Sequence, residues 1–419
     1  MFALIDCNNF FASCQRVFRP DLNNKPIIVL SNNDGCVIAR SNEAKAIGIK
    51  MGQPLFECKS LIEKYSVEVF SSNFALYGDM SNRVFSTAKE YFPMMEIYSI
   101  DEAFFYIEDS YHIDLEEYGR EIVKKVLKCT GIPISIGFAP TKSLAKVANK
   151  IAKKFPQRTK GTYVIDSLEK QNKALKWTKV EDVWGIGRRY SKKLIDSGIK
   201  NAYDFTLIED SWVKKFMSVV GLRLKRDLKG IPTIEIEDLR PKKTIATTRS
   251  FETTYTEFED IRERVVTFAV VCAEKLRKQK SFAGTIMVFL HTNFHNKTQE
   301  QYSKSHVMKL PFATNSSIEL AKFAIEALEK IYIKGYNYKK AGVVVMDLEP
   351  MDNFQYTLFQ SSNPTHQKLM TSIDFLNSTY GSQKVRLASQ SQGRVWKMNQ
   401  EKISPRYTTR IDEIITVKS

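Results

Sequence analysis

Cysteine is scarce in this chain: six in 419 residues, at positions 7, 14, 36, 58, 129 and 272, with no CxxC pair among them. That argues against a disulfide framework or a zinc module and fits reduced thiols in the cytoplasm. Long apolar runs are missing too. The run 268–273 is far shorter than the ~20 residues a membrane helix needs. No basic segment precedes Asp6, so no signal peptide is expected, and neither an internal repeat nor a low-complexity block is visible. Acidic residues are in deficit, 47 against 63 Lys and Arg, a formal charge of +16. What is present, 43% hydrophobic and 26% charged residues, is ordinary globular composition and excludes a disordered or fibrous chain. The length suggests about two to four domains.

The basic excess is not spread evenly. Residues 1–150 hold 17 basic and 18 acidic side chains, whereas residues 151–419 hold 46 and 29. A neutral head on a basic body points to a polyanion, foremost nucleic acid, gripped by the later domains. The alternative is a surplus of charge on solvated helix faces.

The pattern of apolar residues predicts a strand over 2–5 that runs into Asp6, a helix after it, and a hairpin around Asn33-Asp34-Gly35. Helices are expected over 42–47, 74–91, 115–128 and 141–154, the last with Thr141 as N-cap. Two strand-like runs meet near 99–101, and 132–139 reads as a further strand. Strands interleaved with helices around an antiparallel pair predict a mixed α/β sheet. Residues 166–235 turn helical and basic, a charged connector follows, and 244–350 alternates strands and helices as a second small α/β unit. One helix near 364–379 is expected in the Ser-, Gln- and Asn-rich tail.

Asp6 follows an apolar strand, and Asp101 and Glu102 sit at a turn between two others. If those strands are neighbours, three carboxylates gather at one sheet end, where Mg²⁺, which favours hard oxygen ligands, could offset their repulsion. Two such ions suit in-line phosphoryl transfer. Acidic residues at strand ends are also common as caps and turn formers, so both readings stand on spacing alone. Trp184-Gly185-Ile186-Gly187 with Arg188 and Arg189 behind it reads as a helix-hairpin-helix turn whose backbone N–H groups could approach a DNA phosphate. His291 and His295 have i, i+4 spacing but no evident third ligand, and are taken as surface residues.

The segments ALIDCNNFFASC, VLSNNDGCVIARSNEAKAIGI, YSIDEAF, IGFAPTKSLAKVANKIAK and VWGIGRR resemble those of the Y-family (translesion) DNA polymerases, in order along essentially the whole chain. NNDGCVIARSNEAKA and SPRYTTR are closest to the polymerase V subgroup. The resemblance implies that Asp6, Asp101 and Glu102, with the backbone carbonyl of Cys7, hold two Mg²⁺ ions. It implies that Phe11 is the steric gate under the sugar of the incoming nucleotide. Phe10 lies beside that pocket, although core packing is the preferred reading for it. Asn42 and Lys45 stand where many members have Tyr and Arg, and Lys in place of Arg offers a point charge in place of a bidentate fork. Lys153 matches a triphosphate-binding lysine. It shares a helix face with Lys142, Lys146 and Lys150, whose roles stay open between phosphate contact and solvation.

The fold so implied is a multidomain α/β (α+β) right hand. A ferredoxin-like palm over 1–165 carries small inserted fingers (about 12–76), and a helix-hairpin-helix thumb covers 166–235. A linker follows at 236–243, then an α/β little finger over 244–350. The C-terminal region 351–419 holds a clamp-binding peptide with Gln355, Leu358 and Phe359. The implied activity is error-prone, template-directed DNA synthesis past lesions in SOS mutagenesis and damage tolerance. Primer-template DNA and dNTP are the substrates; a processed UmuD dimer, RecA and the β sliding clamp are the partners. A nucleotide cyclase with a palm-like domain and a non-catalytic DNA-binding scaffold are the alternatives. The expected location is the cytoplasm, with no membrane contact.

Overall fold

A computed structural model describes residues 1–108, 114–236, 241–353, 362–390 and 398–416. They form two compact units: 1–239 with 399–419, and 240–398. Among the described residues no helix is long and apolar enough to cross a membrane. The peptide 355–359 lies outside the described residues.

The first unit opens with strand β1 (Phe2–Cys7) and helix α1 (Phe10–Phe18). A small excursion follows, made of β2 (Ile27–Leu30), β3 (Val37–Arg40), α2 (Asn42–Ala46), α3 (Leu55–Tyr65) and β4 (Glu68–Ser71). It builds its own three-stranded sheet in the order β3-β2-β4, over a separate small core of Ile28, Leu30, Val37 and Ile49. The chain then returns through α4 (Phe74–Lys89), β5 (Met94–Ile97), β6 (Glu102–Tyr106), α5 (Leu115–Thr130), β7 (Ile134–Ala139), α6 (Lys142–Lys154), α7 (Pro156–Thr159) and β8 (Thr162–Val164).

The main sheet has the order β5-β6-β1-β7-β8, with β1 at its centre, antiparallel to both neighbours. Period-two alternation splits β1 between two cores. Ala3, Ile5 and Cys7 pack with α4 and α5 residues such as Leu76 and Ile122, whereas Phe2 and Leu4 pack with Leu144, Ala148 and Ile151 of α6. Asp6 therefore falls on the α6 face. The expected helix over 141–154 is observed one residue shorter, with Thr141 Oγ1 accepting the N–H of Leu144 at its N-cap. Helices α8 (Leu168–Trp177), α9 (Arg188–Asp196), α10 (Ala202–Leu207) and α11 (Asp210–Leu228) extend the α6-side core through Leu175, Leu194, Phe205 and Leu224.

The second unit is β9 (Ile245–Tyr255), α12 (Phe258–Lys278), β10 (Ser281–Thr292), β11 (Ser303–Thr314), α13 (Ser317–Glu329) and β12 (Tyr338–Pro350). Its βαββαβ order closes an antiparallel sheet β11-β10-β12-β9, the split βαβ arrangement. Helix α14 (Pro364–Tyr380) belongs to this unit, held by an Arg277–Asp374 pair with nitrogen–oxygen distances of 2.6 and 2.7 Å. The chain beyond 350 is thus shared between the units, because 399–416 returns to the first. Strand β9 escapes the periodicity reading: its edge position leaves Ala246, Ser250 and Glu252–Thr254 exposed, so polar residues outnumber apolar ones. Strand β4 escapes as well, being only four residues long.

Candidate active site

Register brings the carboxylates together. Asp6 at the end of β1 pairs with Glu102 at the start of β6, so both side chains leave the sheet on one face. Asp101 is joined by its backbone, its carbonyl accepting the Cys7 N–H at 2.8 Å. Ser99 shapes that turn: its hydroxyl donates to Asp101 Oδ1 at 2.6 Å and accepts the Glu102 N–H at 3.0 Å. Sequence reading passed over Ser99, because a serine in a turn carries no signal of its own.

The α6 lysines complete the charge pattern. Lys153 pairs with Asp6, and Lys146 donates to Glu102 at 2.9 Å. Lys150 meets Asp182 at 2.6 Å, and buried Lys142 meets Glu96 at 2.6 Å. This face is therefore a rail of counter-charges and not a solvated stripe. Burial raises the Asp6 carboxyl to about 7; Lys153 opposes the rise, and the negative charges of Glu102 and Asp101 add to it. Among the described residues no group of three side-chain ligands is arranged around a metal position. The donor set nevertheless fits a hard divalent cation: three carboxylates on adjoining strand ends, one buried, two already drawing ammonium groups.

Phe10 and Phe11 differ in burial. Phe10 is 3% exposed and lies in the core, whereas Phe11 is only partly buried. The Phe11 ring stacks on Tyr77 at 4.3 Å between centroids and 12° between planes, with Phe74 edge-on at 5.9 Å. Helix α2 reaches the β1–α1 turn through Asn9, which has a left-handed backbone (φ 47°). Asn9 Nδ2 donates to Asn42 Oδ1 at 3.0 Å, and Lys45 Nζ donates to Asn9 Oδ1 at 2.5 Å. Burial lowers the Lys45 pKa, with the charges of Arg40 and Lys153 pushing the same way. Lys45 is thus within electrostatic reach of Arg40, Lys153 and Asp6.

In the 184–187 turn, Gly185 takes φ 88°, Gly187 is the N-cap of α9, and Arg188 and Arg189 are exposed at its first turn. The Trp184 indole N–H donates to the Tyr98 hydroxyl at 2.9 Å, and its ring packs on Phe104 at 5.9 Å. In the second unit the His291 ring lies tilted on Phe289 at 4.8 Å and meets the Ser303 hydroxyl at 2.7 Å, and among the described residues no metal-binding group includes either His291 or His295.

Residues 5–150 match the impB/mucB/samB family and 242–358 its C-terminal domain; 367–417 match a domain of unknown function (DUF4113). The chain is 42% identical to protein UmuC of Salmonella typhimurium over the full length of both. It is 25% identical to DNA polymerase IV of Bacillus velezensis, with 91% of each chain covered. A solved Y-family DNA polymerase chimera superposes with a TM-score of 0.69 at 19% identity, covering 84% of this chain and all of the chimera. The chain belongs to the impB/mucB/samB family and has the fold of the Y-family DNA polymerases.

Proposed function

We infer that the chain is a DNA-directed DNA polymerase acting in error-prone translesion synthesis. The observation that carries the reading is the pairing of Asp6 with Glu102 across the β1–β6 ladder, with Asp101 in the adjoining turn and the ammonium groups of Lys153 and Lys146 drawn to the two ladder carboxylates. A nucleotide cyclase would have no use for the basic α9 turn, and a non-catalytic scaffold none for the buried carboxylate.

In this reading the main sheet with α4–α6 is the palm, and the β2–β4 excursion is the fingers. Helices α8–α11 are the thumb, and the βαββαβ unit is the little finger. The primer 3′-hydroxyl attacks the α-phosphate of a dNTP, and pyrophosphate leaves. Asp6, Asp101, Glu102 and the Cys7 carbonyl would hold two Mg²⁺ ions, which when bound supply activation of the hydroxyl and charge stabilisation of the leaving group. Lys45, Lys153 and Arg40 attract the triphosphate. Asn42 positions Lys45 through Asn9. The Phe11 ring, backed by Tyr77, leaves no room for a 2′-hydroxyl. Gly185, Ile186, Gly187, Arg188 and Arg189 meet duplex phosphate without reading sequence. Gln355, Leu358 and Phe359 engage the β sliding clamp, and a processed UmuD dimer and RecA act as further partners in the cytoplasm.

The test is primer extension with template, dNTP and Mg²⁺. Asp101→Ala is expected to abolish extension while DNA binding persists; unchanged extension would overturn the catalytic assignment.

A further inference from the structure

The C-terminal residues 399–416 leave the second unit's sequence neighbourhood and pack on the first unit. They run along the edge strand β4 and the turn before β3. The N–H groups of Asn399 and Glu401 donate to Asn33 Oδ1 (3.1 Å) and Asp34 Oδ2 (2.9 Å). Ser71 and Lys402 exchange two bonds: Ser71 N–H to the Lys402 carbonyl at 2.9 Å, and Lys402 N–H to Ser71 Oγ at 3.0 Å. Asn73, 1% exposed, donates to the Ser404 carbonyl at 2.9 Å and to the Pro405 carbonyl at 3.2 Å. Three residues further on, Tyr407 stacks on Phe18 at 4.6 Å and 11°.

These contacts close a circuit. Phe18 lies seven residues after Phe11, two turns along the same face of α1. Phe11 stacks on Tyr77 of α4, and Tyr77 lies one turn from Asn73, the N-cap of that helix. Asn73 holds 404–405, and Tyr407 returns to Phe18. Helix α1 has nine residues and no side-chain N-cap hydrogen bond, so intrinsic helicity contributes little and packing sets its position.

We propose that residues 404–407 are a positioning strap for the nucleotide's sugar pocket: by tying Phe18 of α1 to Asn73 of α4, they hold the Phe11 ring in register. This rests on Phe11 being the sugar gate. The strap touches neither substrate nor carboxylates; it acts through the two helices that carry Phe11 and Tyr77.

The experiment uses the full-length chain with Tyr407→Ala, Tyr407→Phe, Asn73→Asp and, as reference, Phe11→Ala. Single-nucleotide incorporation of dNTP and of the matching ribonucleotide is measured, together with amide hydrogen exchange across 10–18. Tyr407→Ala is expected to raise KM for dNTP about three- to tenfold, the range an aromatic pair supports. It should narrow the sugar preference, change kcat less, and speed exchange in α1. Tyr407→Phe keeps the ring and should behave as the parent. Asn73→Asp keeps the acceptor that caps α4 but loses the donor to 404–405, so it should resemble Tyr407→Ala. Unchanged KM, sugar preference and exchange in both strap variants would overturn the proposal, as would an equal fall in kcat for both sugars with KM unmoved. If Phe11→Ala leaves sugar preference unaltered, the gate reading fails instead, and exchange in α1 alone decides whether the strap holds that helix.

Discussion

Lys146 places its ammonium 2.9 Å from Glu102 Oε2 and 4.4 Å from the centre of the Tyr98 ring, with the Trp184 ring at 5.4 Å. One side chain thus connects a candidate metal ligand to the aromatic seam on which the 184–187 turn packs. Charge and π-face act together here, in a site only 15% exposed at the lysine side chain. Lys146→Ala is expected to lower stability by about 1.5–3 kcal/mol, the range for a charge-assisted hydrogen bond. Chemical denaturation of the full chain measures this, and Lys146→Arg should recover part of the loss.

Lys142 presents a harder case, an ammonium whose residue is 1% exposed, paired with Glu96 and also donating to the Glu235 carbonyl at 2.6 Å. Removing Glu96 leaves the charge buried. Glu96→Ala should cost about 3 kcal/mol, the low end for breaking a buried pair, because the carbonyl contact survives. Replacing both residues by apolar ones should cost less than the single change, and a paired denaturation series shows which order holds.

Gly137 of β7 lets α6 approach the sheet. A Cβ there would lie 2.1 Å from the Asn149 backbone nitrogen and 2.4 Å from the Ala145 carbonyl oxygen. Backbone cannot yield as a side chain does. Gly137→Ala should therefore destabilise by about 3 kcal/mol or more and lower extension by moving the lysine rail. A normal melting temperature would refute the close approach.

Divalent cation is expected to be obligatory for extension and dispensable for DNA binding. Chelation should stop nucleotide incorporation, added Mg²⁺ should restore it, and binding of a labelled primer-template measured alongside should not change. Loss of binding on chelation would move the cation's place from the carboxylates to the duplex interface.

Arg188 and Arg189 should contribute to affinity without sequence preference. Alanine at both is expected to weaken binding similarly for unrelated duplexes and to reduce the salt slope by about 2, one per phosphate contact. A sequence-selective loss would place these side chains on bases.

Much of the site was legible before any coordinates. Asp6, Asp101 and Glu102 stand beside apolar strand runs, and the split of Phe10 inward and Phe11 outward follows from adjacent positions on one helix. What was not legible has a common cause: it depends on pairs distant in sequence. Ser99 and Asn9 carry no local signal until the 99–102 turn sets Ser99 on Asp101 and the α2 contact joins Asn9 to Asn42 and Lys45. That the Trp184 indole N–H reaches the Tyr98 hydroxyl is another such pairing, 86 positions apart. The polar edge strand β9 was hidden because too few of its residues are apolar to show the alternation that marks a half-buried strand.

The sequence by itself determined most of the element types and the basic bias of residues 151–419, because periodicity, turn chemistry and charge are local properties. Only the tertiary structure decided that the α6 lysines pair with acids, and that residues 404–407 close a circuit through α1 and α4. Ion pairing and ring stacking act over a few ångströms between residues up to 389 positions apart, a separation that periodicity does not encode.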